Sequence, residues 1–149
     1  MKPVRTWVLI ADGSRARVLE SKGRGTGLTP VPGMNMEAEL SPSRALGTDR
    51  PGRAFESVGS ARHAMESPSD PHREQKRRFA QRIALAVHEQ HATKSFDRLV
   101  VVAPAATMGD LRAALRDGVK ALTTAELVAD LTKTPLAELP THLASIVDL

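Results

Sequence analysis

The 149-residue chain contains no cysteine. Disulfides, thiolate metal sites and cysteine nucleophiles are therefore excluded, and nothing demands an oxidising compartment. Aromatic residues are scarce as well: Trp7, Phe55, Phe79 and Phe96 are the whole set, and tyrosine is absent. A core must then be built from Val, Leu, Ile and Ala, and recognition by stacking bases on exposed rings has little to work with. Long hydrophobic runs are also missing. Lys2 and Arg5 precede the apolar run Trp7 to Ala11, but that run is too short for a secretory leader and Asp12 ends it. Nothing approaches the ~18 apolar residues that span a bilayer. These absences predict a cytoplasmic protein without membrane insertion.

What is present suits one globular domain over residues 1–149. Hydrophobic residues make up 41%, too many for a disordered chain. The formal charge of +4 and a pI near 10 permit an anionic partner.

Hydrophobic patterning predicts an α/β fold, a single domain with a mixed, largely central β-sheet flanked by about three helices. Thr6 to Ala11 reads as a buried strand and Asp12-Gly13 as a tight turn. Ala16 to Glu20 then pairs back antiparallel. Leu28 to Val31 is a weaker strand that Pro30 and Pro32 push to an edge. A long loop covers about 37–71, broken by Pro42, Pro51, Pro68 and Pro71. Ser69-Asp70-Pro71 reads as a helix entry, with Asp or Ser capping and Pro in the first turn. From His72 to about His91, Phe79, Ile83, Ala86 and Val87 share one helical face. Phe96 to Ala103 reads as a strand buried on both faces. Thr107 and Asp110 resemble a capping box for the next helix, with Gly118 as its breaker. A last strand lies within 119–128, and Thr134-Pro135 opens a final amphipathic segment that Pro140 kinks or delays.

The functional signal concentrates between Asp49 and Arg82, where an Arg- and His-bearing segment runs into a strongly basic helix. Arg73, Lys76, Arg77, Arg78 and Arg82 crowd the first half of that helix. At ~100° per residue, Arg73, Lys76 and Arg77 form one flank and Arg78 with Arg82 another. With Arg50, Arg53, Arg62, His63 and His72 they form a candidate anion- or RNA-binding set, because Lys and Arg on phosphates dominate such affinity. The bland alternative is a solvated face paired with nearby acids such as Glu74. A catalytic alternative makes His63 a general base and Arg53 or Arg62 an oxyanion or phosphate clamp. His63, Glu66, Asp70 and His72 follow no metal-ligand spacing, and His88-Glu-Gln-His91 is one residue short of the zinc-protease pattern. Gly23-x-Gly-x-Gly27 opens no evident helix and fails the dinucleotide test. No metal or cofactor is therefore expected.

Taken together, Trp7-Val-Leu-Ile-Ala-Asp-Gly-Ser-Arg-Ala-Arg-Val-Leu-Glu20, Asp49-Arg-Pro-Gly-Arg53, Arg62-His-Ala-Met-Glu66, Asp70-Pro-His72, Lys76-Arg-Arg-Phe-Ala80, Phe96-Asp-Arg-Leu-Val100 and Ala103-Pro104 resemble the bacterial host attachment protein family. That family is in turn similar to the middle domain of archaeal and eukaryotic peptide-chain release factors and related rescue factors. The resemblance implies a release-factor middle-domain-like fold, with Arg78-Phe-Ala-Gln-Arg82 on its basic helix. Release factors carry Gly-Gly-Gln in the preceding loop, where this chain reads Val58-Gly-Ser-Ala-Arg-His63. The hydrolytic tripeptide is absent, and fold likeness alone carries no function across. The implied role is a ribosome- or RNA-binding module in translation quality control or a stress response. Two others stand beside it: a hydrolase using the 49–72 loop, and a protein-interaction factor needed for attachment to host cells. The edge at 28–33 permits a homodimer.

Overall fold

The computed structural model describes residues 3–39 and 70–147. Strand β1 (Thr6–Ala11) pairs antiparallel with β2 (Arg15–Ser21) and parallel with β5 (Arg98–Ala103). β5 pairs in turn, also parallel, with β6 (Thr123–Val128). Two short strands, β3 (Thr29–Pro30) and β4 (Met36–Glu37), pair with β2. The sheet order is β3-β2-β1-β5-β6, with β4 also on β2. The fold is therefore α/β with a mixed sheet, as the patterning predicts.

The continuous apolar runs in β1 and β5 have a simple cause. Successive strand residues point to opposite faces, so a strand covered on both sides must be apolar throughout. On one face Trp7, Leu9, Leu99 and Val101 meet Phe79, Ile83 and Val87 of helix α1 (Arg73–Ala92) and Leu111 of α2 (Ala105–Ala114). On the other, Val8, Ile10, Val100 and Val102 meet Leu139 and Leu143 of α4 (Leu139–Leu143). A 3-10 turn (Leu136–Glu138) leads into α4, whose Pro140 sits in the first turn where its missing N–H costs nothing. Each fully buried Ile, Leu or Val contributes about 1.5–3 kcal/mol. The scarce rings cluster, with Trp7 and Phe96 centroids 4.9 Å apart.

Several expected boundaries move. Thr107 is buried inside α2, which begins at Ala105 after Pro104 without a side-chain cap, so there is no capping box. The carboxylate of Asp110 is drawn to Arg73 instead. Gly118 does not end α2, which stops at Ala114 with Leu115 as its C-cap; it lies in a separate short helix, α3 (Asp117–Lys120). Val119 also belongs to α3, and β6 starts only at Thr123. The described residues hold four helices, in keeping with the about three expected, the fourth being the short α3. Pro71 precedes α1 instead of occupying its first turn, yet Asp70 does act at the entry: its Oδ1 accepts from the His72 amide at 2.8 Å. Glu37, placed in the long loop by sequence, pairs with Arg15 in β4, and residues 40–69 of that loop lie outside the described residues.

The C-terminal part of α1 and the start of α3 are held together by a histidine that acts as acceptor. His88 Nε2 accepts the Arg116 amide at 3.0 Å, and Gly118 lies so close to His91 that a Cβ would sit 3.2 Å from its ring. Burial first, then the charge of Arg116 and the nearness of His91, depress the His88 pKa below 6.5. In the unfolded chain the same imidazole takes its proton at about 6.5. Stability from this group is thus present above that pH and lost as pH falls through the lower folded value. Urea midpoints should drop between pH 7.5 and 5.0, and His88→Gln, which keeps an acceptor without the proton, should reduce the drop. An undiminished drop in the variant would show that His88 is not responsible.

Candidate functional site

The carboxyl ends of the parallel strands β1, β5 and β6 lie along one edge, the usual place for a site in an open α/β sheet. α1 runs antiparallel to β5, so its basic first turns come down over this edge. The Asp12–Arg15 turn lies directly beneath. Asp12 Oδ1 accepts from the amides of Ser14 and Arg15, both at 2.8 Å. Its Oδ2 accepts from Thr132 Oγ1 at 3.1 Å, which joins the turn to the chain beyond β6. Desolvation pushes the Asp12 pKa up, but its four hydrogen bonds outweigh that and leave it lowered. Arg17 reaches the same region and donates to the carbonyls of Leu131 and Thr134 at 2.6 and 2.5 Å. The stem of Lys76 crosses Gly13 so closely that a Cβ there would sit 2.8 Å from Lys76 Cδ and push the stem aside.

The five cations of α1 have separate fates. Arg73 makes two parallel bonds to Asp110 at 2.8 and 2.6 Å, clamping α1 to α2. The hydrogen bond to Asp110, with its charge, raises the Arg73 pKa further. Lys76 packs on Gly13 and donates to Asp70 at 2.8 Å, and that bond is the main reason the Asp70 pKa is lowered. Arg77 donates to Glu74 at 2.5 Å, within one turn. Arg78 is different: its side chain is 72% exposed, and its contact with the same Glu74 is a loose 3.4 Å. Arg82 lies over the Phe79 ring, 5.4 Å from the centroid, and donates to the Glu37 carbonyl at 3.1 Å. Arg78, Arg82 and Gln75 line a shallow hollow of about 210 Å³ whose opposite wall is Ala38 and Glu39.

Of the ten binding positions expected from sequence, His72, Arg73, Lys76, Arg77, Arg78 and Arg82 are thus placed on or beside α1. Arg50, Arg53, Arg62 and His63 lie outside the described residues, and with them the catalytic assignment of His63, Arg53 and Arg62. His88 spends its acceptor on Arg116, and no group of three His, Asp or Glu side chains among the described residues could hold a metal ion. Gly23, Gly25 and Gly27 all have positive φ and shape a turn that Thr26 closes on the Gly23 carbonyl at 2.6 Å. Sequence reasoning missed Asp110 as the partner of Arg73, since 37 positions separate them and no spacing rule links them.

Among the described residues, no helix is long and apolar enough to cross a membrane. The family described as "protein required for attachment to host cells" matches residues 7–143, and the chain belongs to that family. No curated protein matches the chain.

The contact between Gly13 and Lys76 is testable by a double-mutant cycle. Gly13→Ala should cost about 1 kcal/mol, the low end of overpacking, because the partly exposed Lys76 stem can shift. The cost should largely vanish in a Lys76→Ala background, where the stem is gone. Additive losses in the denaturation midpoints would show that the two residues do not press on one another.

Proposed function

We propose that this protein is a binding module that takes the phosphates of RNA on the Gln75–Arg78–Arg82 face of α1. The observation that carries the reading is the division of the α1 cations. Arg73 and Lys76 are committed to Asp110 and Asp70, while Arg78 and Arg82 line a hollow open to solvent. An exposed ion pair such as Arg78–Glu74 is worth little, so a phosphate competes for Arg78 at small cost. Arg82 is already oriented by Phe79 and Glu37, which spares ordering entropy when it meets a ligand. The resemblance of Arg78-Phe-Ala-Gln-Arg82 to the basic helix of release-factor middle domains favours RNA or the ribosome as the phosphate carrier. With too few rings for base stacking, the binding would read backbone charge rather than sequence. With that partner, the role we propose is in translation quality control or a stress response. The family description favours a second reading, a protein-interaction factor needed for attachment.

A fluorescein-labelled single-stranded RNA, titrated by anisotropy at several salt concentrations, separates the two. The parent should bind with an affinity that falls steeply with salt. Arg78→Glu combined with Arg82→Gln should weaken binding at least tenfold at low salt and flatten the log–log slope by about 1.4, roughly 0.7 per lost contact. Arg73→Gln should act instead on stability. Parent and double variant binding alike, or a parent that does not bind at low salt, would contradict the RNA reading.

A further inference from the structure

The two edges of the sheet are built differently. At one end, β3 is two residues long and contains Pro30, so it is a poor template for another strand. At the other end, β6 runs six residues, Thr-Thr-Ala-Glu-Leu-Val, with no proline and no lysine; its pairing is irregular at Thr124 and regular from Ala125 to Val128. Among the described residues no strand pairs with its outer side. Proteins usually blunt such an edge with short length, Pro, Lys or an inward charge. Glu126, the one charge on β6, is neutralised by Arg112 at 2.5 Å.

A groove of about 480 Å³ lies beside this edge, between β6, α2 and α3. Met108 and Leu111 form its floor, Leu115 one side, and Arg112 and Lys120 its rim. With Glu126 already engaged, the rim carries a positive excess centred on the exposed Lys120. On the opposite face of the sheet, Ala125 and Leu127 leave a half-buried apolar border at the same edge.

We propose that β6 is an acceptor for strand addition and that its occupant is an extended acidic peptide from a partner protein. Such a peptide would pair its main chain with the open edge. Its alternate side chains would place a carboxylate over the rim at Lys120, and apolar groups beside Ala125 and Leu127. This face is remote from the Arg78–Arg82 hollow, so the proposal stands apart from the RNA reading.

The test uses the full chain and fluorescein-labelled eight-residue peptides of alternating Glu and Val. The acidic peptide should bind at least tenfold more tightly than its Lys-for-Glu counterpart, and Lys120→Glu should abolish that preference. Two further peptides carry N-methyl groups at all odd or all even positions. The set facing β6 should lose binding while the other retains it. Equal binding of acidic and basic peptides, binding by both methylated sets, or no binding at all would overturn the proposal. So would light scattering that shows a dimer dissociated by Thr124→Pro, because a second copy would then occupy the edge.

Discussion

The parallel pairing of β1 with β5, buried on both faces, is the constraint on which the rest of the structure depends. Two adjacent strands with no polar face must be covered twice. α1 and α2 cover one side and the segment through α4 the other. The connection from β1 to a parallel neighbour must also cross the sheet, and α1 makes that crossing antiparallel to β5. Its first turns consequently arrive at the carboxyl ends of the strands, above the Asp12–Arg15 turn. A charged helix start thus comes to a sheet edge for reasons of packing, and Gly13 leaves room for the Lys76 stem there.

The same placement explains why charge on α1 cannot be read as one patch. Cations that meet the rest of the protein are tied down: Arg73 by a carboxylate only 10% exposed, Lys76 by Asp70. On the flank turned toward β4, Arg82 meets backbone and an aromatic ring instead, and Arg78 keeps only a loose contact with Glu74. Composition gives only the charge, and the partners of each side chain decide which groups stay exposed.

Much of this was legible in the sequence because it depends on local pattern. The apolar runs of β1 and β5, the Phe79–Ile83–Val87 stripe and the edge position of Pro30 all follow from periodicity or missing N–H groups. The two flanks of α1, one holding Arg73, Lys76 and Arg77 and the other Arg78 and Arg82, follow from helical geometry alone. Long-range partners were not legible. The Thr107–Asp110 spacing fits a capping box, but the tertiary bond to Arg73 claims Asp110 and the helix starts two residues earlier. Likewise Gly118 looks like a breaker, whereas its small size serves the approach of His91. The groove beside β6 has no sequence signature, because it depends on where α2 stops relative to the sheet edge.

The central claim is that Arg73 is structural while Arg78 and Arg82 face ligand. Side-chain NMR of the arginine Nε–Hε groups tests it most directly, with a short single-stranded RNA added in steps at low salt. The account predicts progressive shifts for Arg78 and Arg82 while Arg73 stays in place. Equal movement of Arg73, or no movement of Arg78 and Arg82, would contradict it.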